Sequence, residues 1–192
     1  MTTLEKTKEA PLDDAGATTA AGSIGKRYYT VVFPFSNAEG RRQVLLGLKK
    51  RGMGEGLWNG FGGKVEPQES FDECAHRELK EECGLEASHM RYVGVLYMTR
   101  KDGSAMTIYA YTAHGLSGAV EESDEMKPQW FDVADLPYNQ AYSEARLWWP
   151  TMLSGEFFIA RFVFSFSAPI KHQIERVDVS HLPSSSSRNL NG

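Results

Sequence analysis

Three glutamates, Glu78, Glu81 and Glu82, stand at i, i+3 and i+4 within Phe71-Asp-Glu-Cys-Ala-His-Arg-Glu-Leu-Lys-Glu-Glu-Cys83. Carboxylates at that spacing crowd one side of a helix and repel one another. Oxygen-only donors grouped in this way suit a hard divalent cation, Mg²⁺ or Mn²⁺. Ahead of them lies a glycine-rich passage, Gly52-Met-Gly-Glu-Gly-Leu-Trp-Asn-Gly-Phe-Gly-Gly63, with Lys64 directly after it and Lys49 shortly before. Glycines before a helix let backbone approach a ligand closely and turn N–H groups toward phosphate. A Walker lysine-serine pair is absent, since Gly63-Lys64 is followed by Val65. The acid-rich segment and the glycines together point to a metal-bound di- or triphosphate.

The segment carrying the acids has the boundaries of a helix. Ser70 and Glu73 form a capping box, and Gly84 suits the left-handed position after the last turn. At about 100° per residue, Phe71, Ala75, Leu79, Cys83 and Cys74 make the apolar face, and Glu73, His76, Arg77 and Lys80 the solvated one. Glu78 and Glu82 fall inside the apolar arc, with Glu81 at its edge. Carboxylates aimed at a core are costly unless paired or bound to metal. A buried arginine is the structural alternative to a cation. Arg77 points away in this projection, although its side chain is long enough to fold back toward Glu81 or Glu69.

The elements that must position this helix read as one domain. Tyr28 to Phe35, Val44 to Leu48, Met90 to Arg100, Met106 to Thr112, Gln129 to Val133, Phe157 to Phe166 and Ile170 to Val179 read as strands. Lys101-Asp-Gly-Ser104 is a hairpin turn signal, and Ser143 to Ser154 reads as helical, with Pro150 interrupting it or standing in its first turn. Strands and helices interleave, and several strands lie too close in sequence for pure βαβ winding. The expected fold is therefore α/β, a mixed sheet with helices on its faces. Residues 1–25 read as a disordered arm, 26–182 as the domain and 183–192 as a disordered serine-rich tail.

Composition narrows the function classes. With 192 residues and a net charge of −4, the chain suits one domain and does not favour a DNA-coating surface. No apolar run reaches the roughly 18 residues of a membrane helix. The first residues lack the apolar core of a secretory signal. The two cysteines, Cys74 and Cys83, are about 13 Å apart along the helix and cannot form a disulfide. Reduced thiols imply an intracellular, cytoplasmic protein, with the nucleus open for a eukaryotic source. The five histidines show no zinc spacing.

Gly63, five residues, Glu69, seven residues, and Arg77-Glu78-Leu79-Lys80-Glu81-Glu82-Cys83-Gly84-Leu85 match every fixed position of the Nudix box. The chain resembles that family over most of residues 28 to 166. Within it, Leu45 to Gly52, Gly56 to Val65, Glu122 to Phe131 and Leu147-Trp-Trp-Pro150 look like the MutT-type oxidised purine nucleoside triphosphate hydrolases. The resemblance implies a Nudix-type α/β/α sandwich with a mixed β-sheet. It implies Mg²⁺-dependent hydrolysis of purine nucleoside triphosphates, such as 8-oxo-dGTP or 2-hydroxy-dATP, to the monophosphate and pyrophosphate. Metal would be handled by Gly62 through its carbonyl and by Glu78, Glu81, Glu82 and the distal Glu125. Nucleotide would be contacted by Thr30, Lys49, Asn59, Phe61, Gly62, Gly63 and Lys64, with Tyr142 stacking on the base and Glu144 offering a carboxylate to it. The expected partner is a small-molecule nucleotide, with no duplex nucleic acid and no membrane, and the expected state is a monomer.

Several positions depart from the subfamily. Tyr142-Ser-Glu-Ala145 stands where it has Trp-Pro-Asp-Asp, so Ala145 replaces a base-reading aspartate. Met98, Arg100 and Met53 replace aromatic residues, while Met106 and Phe164 are retained. Among catalytic roles, Glu78 and Glu82 lead as ligands, Arg77 orients a glutamate, and the general base is Glu82, Glu125 or a carboxylate acting through the metal. A Nudix pyrophosphohydrolase for a dinucleoside polyphosphate or a sugar nucleotide is the alternative, motivated by Ala145 and Arg100. A binding or scaffolding module that has lost catalysis is a third reading.

Overall fold

The arrangement that places the acidic helix is a change of partner along the first strand. In the computed structural model, which describes residues 27–38, 40–100, 103–167 and 171–182, β1 (Arg27–Ala38) pairs with β5 (Ala105–Ser117) in parallel over Arg27 to Pro34. Its end, Phe35 to Ala38, pairs antiparallel with the start of β2 (Arg41–Lys49). Beyond that point β2 leaves β1 and pairs with β3 (Trp58–Asn59), while β6 (Met126–Asp132) pairs with it from Gln43 to Lys49. The glycine segment fills the vacated edge of β1, with Val32 N–H donating to Phe61 O, Phe61 N–H to Val32 O, Thr30 N–H to Gly63 O and Val65 N–H to Tyr28 O.

The sheet continues from β5 to β4 (Glu86–Arg100), then in parallel to β7 (Phe157–Ser167), and ends at β8 (Lys171–Leu182). Parallel and antiparallel pairs coexist, as the mixed sheet of the sequence reading requires. The turn between β4 and β5 closes through Gly103 N–H to Arg100 O, and Gly103 adopts φ +83°, open to glycine. Two expectations, the arm at 1–25 and the tail at 183–192, lie outside the described residues, as do Lys101, Asp102, Ile170 and the side chain of Phe164.

One helix covers each face. On one side α1 (Phe71–Cys83) seats Ala75, Leu79 and Cys83 against Val32, Leu45, Phe61 and Tyr111. Ser70 caps it as the capping box predicts: its hydroxyl accepts from Glu73 N–H, and the Glu73 carboxylate accepts from Ser70 N–H. Gly84 ends it at φ +77°, its N–H donating to Lys80 O. On the other side α2 (Ala145–Ser154) buries Trp148, Trp149 and Met152 against Val31, Phe33, Leu96 and Phe158. Pro150 stands inside α2 and neither interrupts it nor opens it. A proline there removes one helical hydrogen bond, and the helix holds because its two tryptophans are packed edge-on against Phe33.

Both cysteines are buried and unpaired. Among the described residues no helix is long and apolar enough to cross a membrane. Leu79 is fully buried beneath the acidic helix, so Leu79→Ala is expected to destabilise the fold by about 2–5 kcal/mol. Ser70→Ala is expected to cost about 1 kcal/mol. Urea midpoints of the two variants test that order.

Candidate active site

The helix and the glycine segment meet at a hydrogen bond. Residues 61 and 63 spend backbone groups on β1, so the intervening Gly62 turns the other way, and its N–H donates to Glu82 Oε2 at 2.7 Å. That contact needs glycine on both sides of it. A Cβ at Gly62 would lie 2.0 Å from Thr30 O, and one at Gly63 would lie 2.3 Å from Glu78 Oε1. None of Gly60, Gly62 and Gly63 has positive φ; what they supply is close approach. Of their N–H groups, that of Gly62 is spent on Glu82 and does not face phosphate. The Phe61 N–H is engaged by Val32.

Glu82 is 5% exposed. Burial pushes its pKa up to about 7, against the lowering effect of the Gly62 N–H. Glu78 is raised by burial too, although Arg77 pulls the other way. Glu81 stands 59% exposed at the rim. This is the order that the helical projection gives: two acids inward and one at the edge.

Arg77 folds back, realising the alternative that its length allowed. Its guanidinium donates to both oxygens of Glu69, at 2.8 and 3.0 Å, to Glu78 Oε1 at 2.8 Å and to Glu81 Oε2 at 3.1 Å. Glu69 is held down at about 2, chiefly by this pairing, and accepts Glu66 N–H as well. The Arg77–Glu69 fork fixes the guanidinium, which in turn orients Glu78. Arg77 thus orients glutamates, and the acids are partly paired and partly available.

Across from the helix, Glu125 at the foot of β6 carries a pKa held below the usual carboxylate range, chiefly by Arg51. Lys49 approaches its other oxygen at 3.7 Å. Among the described residues no three His, Cys, Asp or Glu side chains are gathered tightly enough to hold a metal. In this arrangement Glu78 and Glu81 pair with Arg77, and Glu125 with Arg51. The donors nevertheless fit a hard dication. Glu78, Glu81, Glu82, Glu125 and Gly62 all border one cavity, every donor is oxygen, and the two inward acids carry a charge that burial disfavours.

The cavity, of about 900 Å³, runs from these acids across the sheet beneath α2. Its floor is built in rows by strand register: Tyr29, Ile108 and Leu96 in one, Arg27, Met106 and Met98 in the next, and Arg100 beyond. Asn59, Lys49, Gly63, Lys64, Tyr142 and Glu144 also line it. Glu144 is 7% exposed, near Ser143 Oγ, and its pKa is raised by burial. Tyr142 donates its hydroxyl to Met53 O at 3.0 Å.

Of the expected nucleotide contacts, Thr30, Lys49, Asn59, Gly62, Gly63 and Lys64 border the cavity, while two side chains turn into the core. Phe61 is fully buried in the core between the sheet and α1, because strand alternation aims it away from the cavity. Thr30 is on that same face; its hydroxyl lies 3.2 Å from Cys74 Sγ. Tyr29, its neighbour, faces the cavity instead and was missed; the alternation of Tyr29 and Val31 with Thr30 and Val32 was the available signal. Arg51 was also missed, though the run Lys49-Lys50-Arg51 faces Glu121, Glu122 and Glu125 in sign.

Fold and site together define an α/β sandwich that holds oxygen donors for a cation beside a roomy, partly apolar cavity. Residues 26–150 match the model of the NUDIX domain. The chain belongs to the NUDIX family. It is 38% identical over 138 residues to the oxidized purine nucleoside triphosphate hydrolase of Danio rerio, covering 71% of this chain and 88% of that protein. The protein of the same name from Mus musculus is 37% identical over 139 residues, 72% of this chain and 86% of that one. Among solved structures, the mutator MutT protein of Bacillus halodurans superposes with a TM-score of 0.64 at 21% identity, over 80% of this chain and 97% of that one.

The buried carboxyl makes a stability test. Glu82 ordinarily titrates near 4.5 and here near 7. Between those values the folded chain keeps a proton that the unfolded chain has released, so stability of the metal-free protein falls as pH rises through that window. Glu82→Gln is expected to remove this slope. It should stabilise the metal-free protein above pH 7, on the order of 1.4 kcal/mol for each pH unit between the two values, and leave it unchanged below pH 4.5. Urea unfolding in the presence of chelator, at several pH values, measures it.

Proposed function

We propose that the protein hydrolyses purine nucleoside triphosphates with an oxidised base to the monophosphate and pyrophosphate, using Mg²⁺, in the manner of nucleotide-pool sanitation in the cytoplasm. The observation that carries this reading is a single cavity with carboxylates at one end and Asn59, Tyr142 and Glu144 lining it under α2. The two named relatives, at 38% and 37% identity over most of their length, support the substrate class.

Each residue has a task in this reading. Glu78, Glu81, Glu82, Glu125 and the Gly62 carbonyl hold the cation, and Mn²⁺ substitutes for it. When bound, the cation neutralises charge on the phosphate oxygens and acidifies water. Lys49 and Lys64 draw the phosphate chain across the glycine segment. Arg77, fixed by Glu69, aims Glu78. Glu82 accepts the proton of water as the water oxygen bonds to phosphorus in line and the opposite anhydride P–O bond breaks, releasing pyrophosphate, with Glu125 the alternative base. Asn59 offers both a donor and an acceptor to a purine edge, Tyr142 stacks on the base, and Glu144 binds a base N–H or, protonated, a carbonyl.

A second reading has its own observation. Arg27 and Arg100 stand at the outer end of the cavity floor, where a second nucleotide of a dinucleoside polyphosphate would place its phosphates.

Turnover of 8-oxo-dGTP, 2-hydroxy-dATP, dGTP and dinucleoside polyphosphates, followed as release of pyrophosphate or nucleotide, tests both. The oxidised triphosphates are expected to have the highest kcat/KM. Equal or better turnover of the dinucleoside polyphosphates rejects the first reading for the second. Glu82→Gln is expected to lower kcat by about 10²–10⁴-fold; an unchanged rate removes Glu82 from the reaction.

A further inference from the structure

The ladder between β2 and β6 ends at the pair Lys49 and Met126, so Glu125 stands one residue beyond it, opposite Lys50. The acidic loop just before β6 is fastened to the next residues of β2's exit. Lys50 N–H donates to Glu125 O at 2.8 Å, and Lys50 Nζ donates to Glu122 Oε1 at 2.7 Å and to Ser123 O at 2.8 Å. Ser123 Oγ accepts the N–H groups of Glu125 and Met126. The backbone at Glu125 is therefore pinned, and its side chain alone is left to choose partners. That side chain divides its oxygens: Oε1 accepts from Arg51 Nη2 at 2.7 Å, and Oε2 faces Lys49 Nζ at 3.7 Å.

We propose that Arg51 is the positioning residue of the distal metal carboxylate, holding Glu125 Oε1 so that Oε2 alone is presented to the cation when Lys49 turns to phosphate. The inference rests on the assignment of Glu125 to the cation under the proposed function. The two contacts differ in kind. The Arg51 contact is a short, charge-assisted hydrogen bond, whereas Lys49 is a looser ion pair to the second oxygen. A phosphate chain on Lys49 removes the weaker partner and leaves the stronger. A carboxylate with one oxygen tied and one released is a monodentate ligand of fixed aim. Partners that fix a ligand in this way typically change metal affinity or activity by about 10–100-fold when lost.

The test uses the full chain and Mn²⁺, with free ion read by electron paramagnetic resonance alongside kcat and KM. Arg51 is 61% exposed in its side chain, so its replacement is expected to leave the thermal midpoint unchanged. Arg51→Met is expected to weaken Mn²⁺ binding and lower kcat by about 10–100-fold each, with KM little changed, and Arg51→Lys to restore part of both. Glu125→Gln is expected to show the same losses, and Arg51→Met combined with Glu125→Gln to be no worse than Glu125→Gln alone. Losses that multiply in the double variant, or Mn²⁺ affinity unchanged in Arg51→Met, overturn the proposal. If Glu125→Gln itself keeps full Mn²⁺ affinity, the assignment of Glu125 fails and the proposal with it. That outcome is recognisable because Glu78→Gln and Glu82→Gln still lose binding.

Discussion

The hydrogen bond from Gly62 N–H to Glu82 ties the edge of the sheet to α1, and most of the site follows from it. It exists because β2 abandons β1 halfway along, leaving an edge that the glycine segment closes. A strand so placed sends alternate peptide groups toward β1 and away from it. The outward group at Gly62 meets a helix whose inward residue is a glutamate. A Cβ at Gly62 would strike the Thr30 carbonyl of β1, and one at Gly63 would press on the Glu78 carboxylate, so glycine at both serves contact distance and not dihedral angle. The helix must then lie close and in one rotation, and its core residues Ala75, Leu79 and Cys83 set that rotation.

The same closeness explains the electrostatics. A carboxylate drawn in to serve a backbone N–H is cut off from water, and one hydrogen bond does not offset its desolvation. Glu82 therefore rises to about 7, while Glu69, with two bonds from Arg77 and one from Glu66 N–H, falls to about 2. The metal-free site thus contains acids separated by environment: Glu69 held in its ionised form as an anchor for Arg77, and Glu82 with a charge that burial disfavours. Arg77 occupies the ground between them. Its fork onto Glu69 fixes the guanidinium, and its remaining N–H groups reach Glu78 and Glu81, so the carboxylate crowding expected at i, i+3 and i+4 is relieved by an arginine on their own helix.

Opposite the helix, charge pairing between the ends of β2 and the loop before β6 brings a fourth carboxylate to the cavity from far along the chain. The sheet's other face supplies a separate function. There, register stacks Tyr29, Ile108 and Leu96, then Arg27, Met106 and Met98, into a floor beneath the tryptophans of α2. The substitutions that set this chain apart, Met98, Arg100 and Ala145, all border this floor and its roof. The acids border the cavity from α1's side of the sheet, and none of them is replaced.

Sequence alone determined the local features, because they depend on periodicity and short-range bonding. The limits and caps of α1, the inward turn of Glu78 and Glu82, the buried reduced thiols, the mixed sheet and the spacing that marks the family were all legible from neighbours within a few residues. What depended on pairing between distant segments was not. Strand alternation beside an unseen partner sent Phe61 and the Thr30 hydroxyl into the core and brought Tyr29 to the cavity. The Gly62 N–H, free in the sequence reading, was claimed by Glu82, and the Phe61 N–H by β1. Arg77 reached Glu69, as well as Glu78 and Glu81 on its own helix, only once the segment of Lys64 and Glu69 was folded against it. Arg51 acquired its partner across a ladder whose register no local pattern specifies. A side chain's face follows from its own strand or helix, but its partner follows from which other segment is packed there, and only the tertiary structure decides that.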